Sequence, residues 1–274
     1  MTAAAVGAAG CGSHDQDPTR REAAYVTHVN RIESQLVAPL QVVTRASAQF
    51  GSPGTHTRRA TRAQEAAVLA SLQRIRQARA WLRALPAPAA ATRLQALLLR
   101  LVNQQAYLTQ QTARLIIFLP TFSADMRPLG PATVRLERVL GITQASGATA
   151  VQAIYGEKAA ALRSFHDSME SVLARLRRLH PPTVSLPQYR AQISSLTGMA
   201  GAAGRLAVVI ASGQTTAVVP LLTSFDRAAV AAQTRTVQRA QAAAVRAYDA
   251  QVGRVNSLAI DAERERLRLS KSLR

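Results

Sequence analysis

The chain has 274 residues, 48% hydrophobic and 18% charged, which allows one or two domains with a substantial core. Aromatics make up only 4% and helix formers recur throughout, while clusters of β-branched and aromatic residues in period two are missing, so a sheet is excluded and an all-α fold is expected. The single cysteine, Cys11, excludes an intramolecular disulfide, and the formal charge of +19 with a pI of about 11.7 favours anionic partners: phospholipid headgroups, wall polymers or nucleic acid.

The first ten residues are small and apolar, without a charge, and end at Ala8-Ala9-Gly10-Cys11, after which Gly12 to Asp17 turn polar. This resembles the lipobox of bacterial lipoproteins, in which small residues precede a cysteine that is acylated and becomes the mature first residue. Small residues suit a peptidase that binds the backbone closely, and the apolar stretch before them must enter the bilayer. The resemblance implies export and an acyl anchor at Cys11, on the outer face of the cytoplasmic membrane. No later run is expected to reach the ~18 apolar residues of a spanning helix.

Asp17-Pro18-Thr19 opens a first helix, with Thr19 and Glu22 spaced as a capping box and Val26, Val29, Ile32, Leu36, Leu40 and Val43 as its buried stripe. Pro39 should kink it and Gly51-Ser52-Pro53-Gly54 should end it. A second helix runs from Thr61 to Leu85 and stops at Pro86-Ala87-Pro88. In the third, Ala91 to Leu119, residues Leu94, Leu97, Leu98, Leu101, Leu108, Leu115 and Phe118 form one long stripe. Gln104, Gln105, Gln110, Gln111 and Arg114 are expected on its other faces, and Pro120 closes it. A stripe this long needs a bundle around it.

A shorter helix, Ser123 to Ile142, is interrupted by Pro128 and Pro131. Val151 to Leu179 forms the fifth helix and stops at Pro181-Pro182. Ser185 and Gln188 resemble a capping box opening a sixth, which Ser212-Gly213 breaks. The last helix runs from Thr215 to near the end, with a bend expected at Gly253.

The pattern doubles. Leu82-Arg83-Ala84-Leu85 before Pro86 is echoed by Leu176-Arg177-Arg178-Leu179 before Pro181, and Pro-Leu pairs begin at Pro39, Pro128 and Pro220. We read a degenerate tandem pair of helical units. The expected architecture is an elongated antiparallel bundle of about seven helices, with a segment 1–18 as signal and tether, a first unit 19–143 and a second unit 144–274.

On the last helix, Val230, Val237, Tyr248, Val252, Val255 and Ala259 are placed on one face, and Arg235, Arg239 and Arg246 on the opposite face, free to meet an anion. Asp261–Arg264, Glu263–Arg266 and Glu265–Arg268 are acid-before-base pairs that rotate around an exposed helix and support helicity. His166 and Glu170 share a face beside Asp167, but no Glu-x-x-His motif is present and no metal site is expected. There is no Gly-x-Ser-x-Gly turn, and Gly201-Ala202-Ala203-Gly204 reads as close helix packing. No catalytic constellation, cofactor or enzymatic activity is expected.

The Ala8–Cys11 motif, the Pro-Leu kinks and the proline stops together resemble the all-helical, arginine-rich envelope lipoproteins of high-GC bacteria. That resemblance implies an envelope location and brings no activity with it. The leading expectation is a lipid-anchored, non-enzymatic scaffold or binding module. A cytoplasmic basic protein binding nucleic acid and a bundle holding a small ligand are the alternatives.

Overall fold

The computed structural model describes residues 18–48, 58–141 and 148–214, several positions between 217 and 225, and residues 235–272. The described residues are helical, with no strand among them. In chain order the helices are α1 (Pro18–Ala48), α2 (Arg58–Ala84), α3 (Thr92–Met126), α4 (Leu129–Leu140), α5 (Ala148–Leu176), α6 (Leu186–Ala211) and α7 (Arg235–Ser272). Short 3-10 turns, Ala89–Ala91 and Thr183–Ser185, join α2 to α3 and α5 to α6.

Two hydrophobic cores dominate. The first collects Val29, Ile75, Leu82, Leu94, Leu98 and, from the far end of the chain, Ala262 and Leu269. The second collects Leu162, Phe165, Met169, Leu173, Leu196 and Leu206, and Leu136 of α4 belongs to it. Packing therefore crosses the sequence division near residue 143 in both directions. Helix α3 serves both cores: Leu94 and Leu98 lie in the first, while Phe122 and Met126 pack against the second. Burial of a leucine such as Leu98, which is only 2% exposed, contributes roughly 2 kcal/mol.

Helix α3 is ringed by α1, α2, α5 and α7. That position overturns the expectation that its glutamines occupy outer faces. Gln111 is buried with Thr109 and Thr112, and Gln104, Gln105 and Gln110 are half-buried. Gln104 donates to Gln251 at 2.5 Å, and the Thr112 and Tyr248 hydroxyls stand 3.4 Å apart, both across to α7. These pairs, with Arg93 against Glu265, show that α7 runs antiparallel to α3. Burial on these sides encloses polar residues that are only partly paired. Gln104 and Thr112 reach α7, and Thr109 bonds to the Gln105 carbonyl of its own helix. The side-chain oxygens of Gln105 and Gln111 have no hydrogen-bond partner among the described residues, while Arg93, Arg100, Asn103 and Arg114 stay exposed.

The ends of two helices differ from the expected ones. Pro120 lies inside α3, which runs on to Met126 because Phe122 and Met126 find the second core; tertiary packing outweighs one lost backbone bond. The chain is interrupted at Arg127-Pro128, between α3 and α4, as expected, but Pro131 lies in the first turn of α4, where backbone donors have no intrahelical acceptor, and does not interrupt it. Pro39 is buried within an unbroken α1, which begins at Pro18, ahead of Thr19. Ser185 is not a capping box: it ends the 3-10 turn in a right-handed helical conformation (φ −96°, ψ −6°), and its side chain makes no capping bond. Helix α7 passes through Gly253 without a break. Helix α6 does stop where expected, with Gly213 at φ +70° in the left-handed conformation that glycine adopts at no steric cost.

One run, Thr183–Ala211, is long and apolar enough by length and composition to cross a membrane, with a mean hydropathy of 1.5, so the expectation that none exists is corrected. Alanine and glycine raise that average. Ala200, Ala203 and Ala207 are buried and let α6 approach α5 closely, the packing expected of a core helix. A Cβ at Gly204 would lie 3.2 Å from Nδ1 of His166, which itself lies 2.9 Å from the Ala200 carbonyl and donates to it. Gly204 thus makes room for a histidine that ties the two helices together.

Candidate functional site

The two places where the chain turns between long helices share one construction. Pro88 (φ −56°, ψ 154°) and Pro182 (φ −59°, ψ 151°) each lead into a 3-10 turn. In each case a side chain four residues beyond that turn reaches back to the end of the preceding helix. At the first corner Gln95 Nε2 donates to the carbonyls of Leu82 (2.9 Å) and Leu85 (2.7 Å). At the second, the Tyr189 hydroxyl donates to the Leu176 carbonyl at 2.7 Å. The Gln95 bonds satisfy carbonyls that a helix end leaves without partners, whereas the Leu176 carbonyl accepts from Tyr189 in addition to the Leu179 N–H at 2.8 Å.

Beside the first corner, α1 and α2 leave a groove of about 350 Å³. Its α1 side is His28, Arg31, Ile32 and Gln35; its α2 side is Trp81, followed by Ala84, Leu85 and Pro86. Trp81 is the chain's only tryptophan and is 43% exposed. Nδ1 of His28 lies 2.8 Å from the Ala24 carbonyl and must donate there, which directs the neutral ring's acceptor to Nε2. Ala84 also lines a second hollow of about 560 Å³ on the outside of α2, edged by Arg76, Arg79 and Arg83. The groove and the hollow meet at Ala84, with Trp81 and the arginines on opposite flanks of the exposed side of α2.

Helix α7 holds this end of the molecule in place. Glu265 is buried and accepts from Arg268 Nη2 at 2.6 Å, while Arg93 stands 3.7 Å away. Arg268 also donates to the carbonyl of Ala90 in the corner itself, at 3.3 Å. The hydrogen bond from Arg268 holds the Glu265 carboxyl below the ordinary range, against burial, which pushes it up. One turn of contacts away, Arg266 pairs with Glu263 and reaches α1, donating to Glu33 at 2.7 Å and Asn30 at 2.8 Å. Burial raises the Glu33 carboxyl, and Arg266 pulls it back only in part. The reading of these acid–base pairs as supports of an exposed helix is corrected: Glu263–Arg266 and Glu265–Arg268 fasten α7 to α1 and to the first corner. Asp261–Arg264, at 3.6 Å, does remain exposed.

The other residues singled out from the sequence lie apart. Arg239 and Arg246 are exposed on α7; Cys11, Val230 and the side chains of Arg235 and Val237 lie outside the described residues. On the opposite face Tyr248, Val252 and Val255 are half-buried and Ala259 is exposed, while Ala244, Ala262, Glu265 and Leu269 are buried. Asp167 is exposed and Glu170 half-buried, and no cluster of three metal-ligating side chains occurs among the described residues.

The Trp81 surface escaped the sequence reading. Its signal was present: a sole tryptophan at a helix end, and an arginine row Arg76, Arg79 and Arg83 at steps of three and four on the other flank of the same helix. What could not be read was that α1 brings His28 and Arg31 to the same place. Compared with protein-family models, with curated proteins and with solved structures, the chain matches none, and its function is argued from its own residues.

Proposed function

We propose that this protein is a lipid-anchored envelope protein, a non-enzymatic helical scaffold or binding module on the outer face of the cytoplasmic membrane. The observation that carries the reading is the placement of the only cysteine, Cys11, directly after Ala8-Ala9-Gly10. The fold is compatible with it. Only six residues separate Cys11 from Pro18, so an acylated Cys11 holds the start of α1 within about 25 Å of the bilayer surface. The bundle is fastened by side-chain bonds between helices distant in sequence, as a presenting scaffold requires.

Intact mass of the protein recovered from the membrane fraction tests this. A species beginning at Cys11 and carrying acyl mass is expected, with Cys11→Ser moving the protein to the soluble fraction. A chain that retains Met1 and is soluble in its native host overturns the reading and returns Cys11 to an ordinary thiol.

A further inference from the structure

We propose that the first helix corner docks on an anionic lipid surface, with Trp81 entering the headgroup region and Arg31, Arg76 and Arg83 meeting lipid phosphates. The direction of approach rests on the anchored reading of Cys11; the chemistry of the surface does not.

Three observations converge. Trp81 is 43% exposed beside Ile32, Leu85 and Pro86, so an apolar body with one N–H donor stands at the edge of an apolar groove. That is the side chain best suited to the boundary between water and hydrocarbon. The charge around it has one sign: Arg31 borders the groove, Arg76, Arg79 and Arg83 border the hollow that shares Ala84, and no acid lines either among the described residues. The neighbouring acid on α1, Glu33, is turned into Arg266 of α7. Cationic side chains around an interfacial aromatic are attracted to anionic leaflets and reinforce a single acyl anchor, which alone binds only marginally.

The third observation is position. Val68 packs with Ala46, and Trp81 lies by His28, so α1 and α2 are antiparallel and the corner lies at the end where α1 begins. His28 is ten residues along α1 from Pro18, about 15 Å. The short tether from Cys11 therefore brings this end, and not the second corner, to the membrane. A nucleic acid would draw on the same arginines, but it gives no reason for the tryptophan to stand beside them at the tethered end.

The test uses the full-length chain carrying Cys11→Ser, so that no acyl chain contributes. It is mixed with vesicles of phosphatidylcholine alone or with added phosphatidylglycerol, and the emission of Trp81 is followed. A blue shift and protection from iodide quenching are expected with the anionic vesicles only, reversed by salt. Arg76→Gln with Arg83→Gln should weaken partitioning by roughly 20- to 30-fold, at about one fivefold step per arginine. Arg239→Gln with Arg246→Gln, which removes the same charge from α7, should change it less than twofold.

The proposal is overturned if Trp81 emission does not move, if it moves equally with phosphatidylcholine alone, or if the α7 pair weakens binding as much as the α2 pair. It is also overturned if duplex DNA at equal phosphate displaces the protein from the vesicles, which would make nucleic acid the partner. Acylation is read separately by mass, so failure at the vesicle and failure at Cys11 are distinct results.

Discussion

The two corners between long helices share a backbone path and differ in nearly everything attached to it. Proline ahead of a 3-10 turn sets the path at both: Ala91 and Ser185, which end the turns, both stand at φ −96°. The fastening side chains then diverge. Gln95 closes the first corner with two amide bonds, whereas Tyr189 closes the second with one hydroxyl bond and a ring packed edge-on to Phe118, with centroids 6.2 Å apart. The surfaces diverge further. Beside the first corner stands the apolar groove with Trp81; beside the second, a hollow of about 320 Å³ carries Glu65, Arg114, Arg178 and His180. Immediately before the equivalent leucines, Leu82 and Leu176, the first corner has Trp81 and the second Arg175. The comparison teaches that the turn is a property of the prolines, while the residue at each fastening point is free to decide what lies alongside.

That separation can be broken in graded steps. The largest effect is expected from Tyr189→Ala, which removes a half-buried ring from Phe118 and Phe122 together with its bond to Leu176; it should cost about 3 kcal/mol in urea unfolding. Tyr189→Phe keeps the ring and should cost only about 1 kcal/mol, so a loss as large as that of the alanine variant would show that the hydroxyl, not the ring, holds the corner. Gln95→Ala falls between them at about 2 kcal/mol, because it leaves two carbonyls without their donor. If it cost nothing, the first corner would be held by its prolines and by α7 alone.

The smallest effect is expected from Glu265→Gln, and its pH dependence is more telling than its size. The folded Glu265 carboxyl lies below its ordinary value of ~4.3, so the unfolded chain binds the proton more readily. Its contribution is present in full above that ordinary value and is lost as pH falls through the lower folded value. Stability curves of the parent and Glu265→Gln proteins should therefore differ at neutral pH and converge in acid. Curves that stay parallel would show that Arg268 fastens the first corner through the Ala90 carbonyl alone.

The all-helical bundle was legible because its signals are local. Leu94, Leu98, Leu101, Leu115 and Phe118 recur at helical spacing and are buried, and the stops at Pro86 and Pro181 lie where the chain turns. The misreadings come from contacts distant in sequence. Periodicity locates one buried stripe, so it places Gln111 with Arg114 on outer faces; Arg114 is exposed, but Gln111 is buried because several helices contact α3. Pairs three apart on one helix look identical whether they face water or, like Arg266, reach a residue more than two hundred positions away. Tyr25, which displaces Val26 from the α1 stripe, is buried with its hydroxyl pushed up to about 12 by loss of solvent; the sequence shows an aromatic there but not its enclosure. The Trp81 site lay beyond reach for the same reason: its composition is written in α2, while its depth is supplied by α1.

Ala262 and Leu269, which complete the first core, lie more than 130 positions beyond the end of α3 and are synthesised well after it. At typical elongation rates, roughly ten to thirty seconds pass between the emergence of α3 and that of Leu269. Throughout that interval α1, α2 and α3 have been synthesised while the side chains of α7 that join Leu94 and Leu98 in the first core have not. A holdase that recognises apolar helical seams therefore has a defined window in which to act, and that window closes when α7 supplies Ala262 and Leu269.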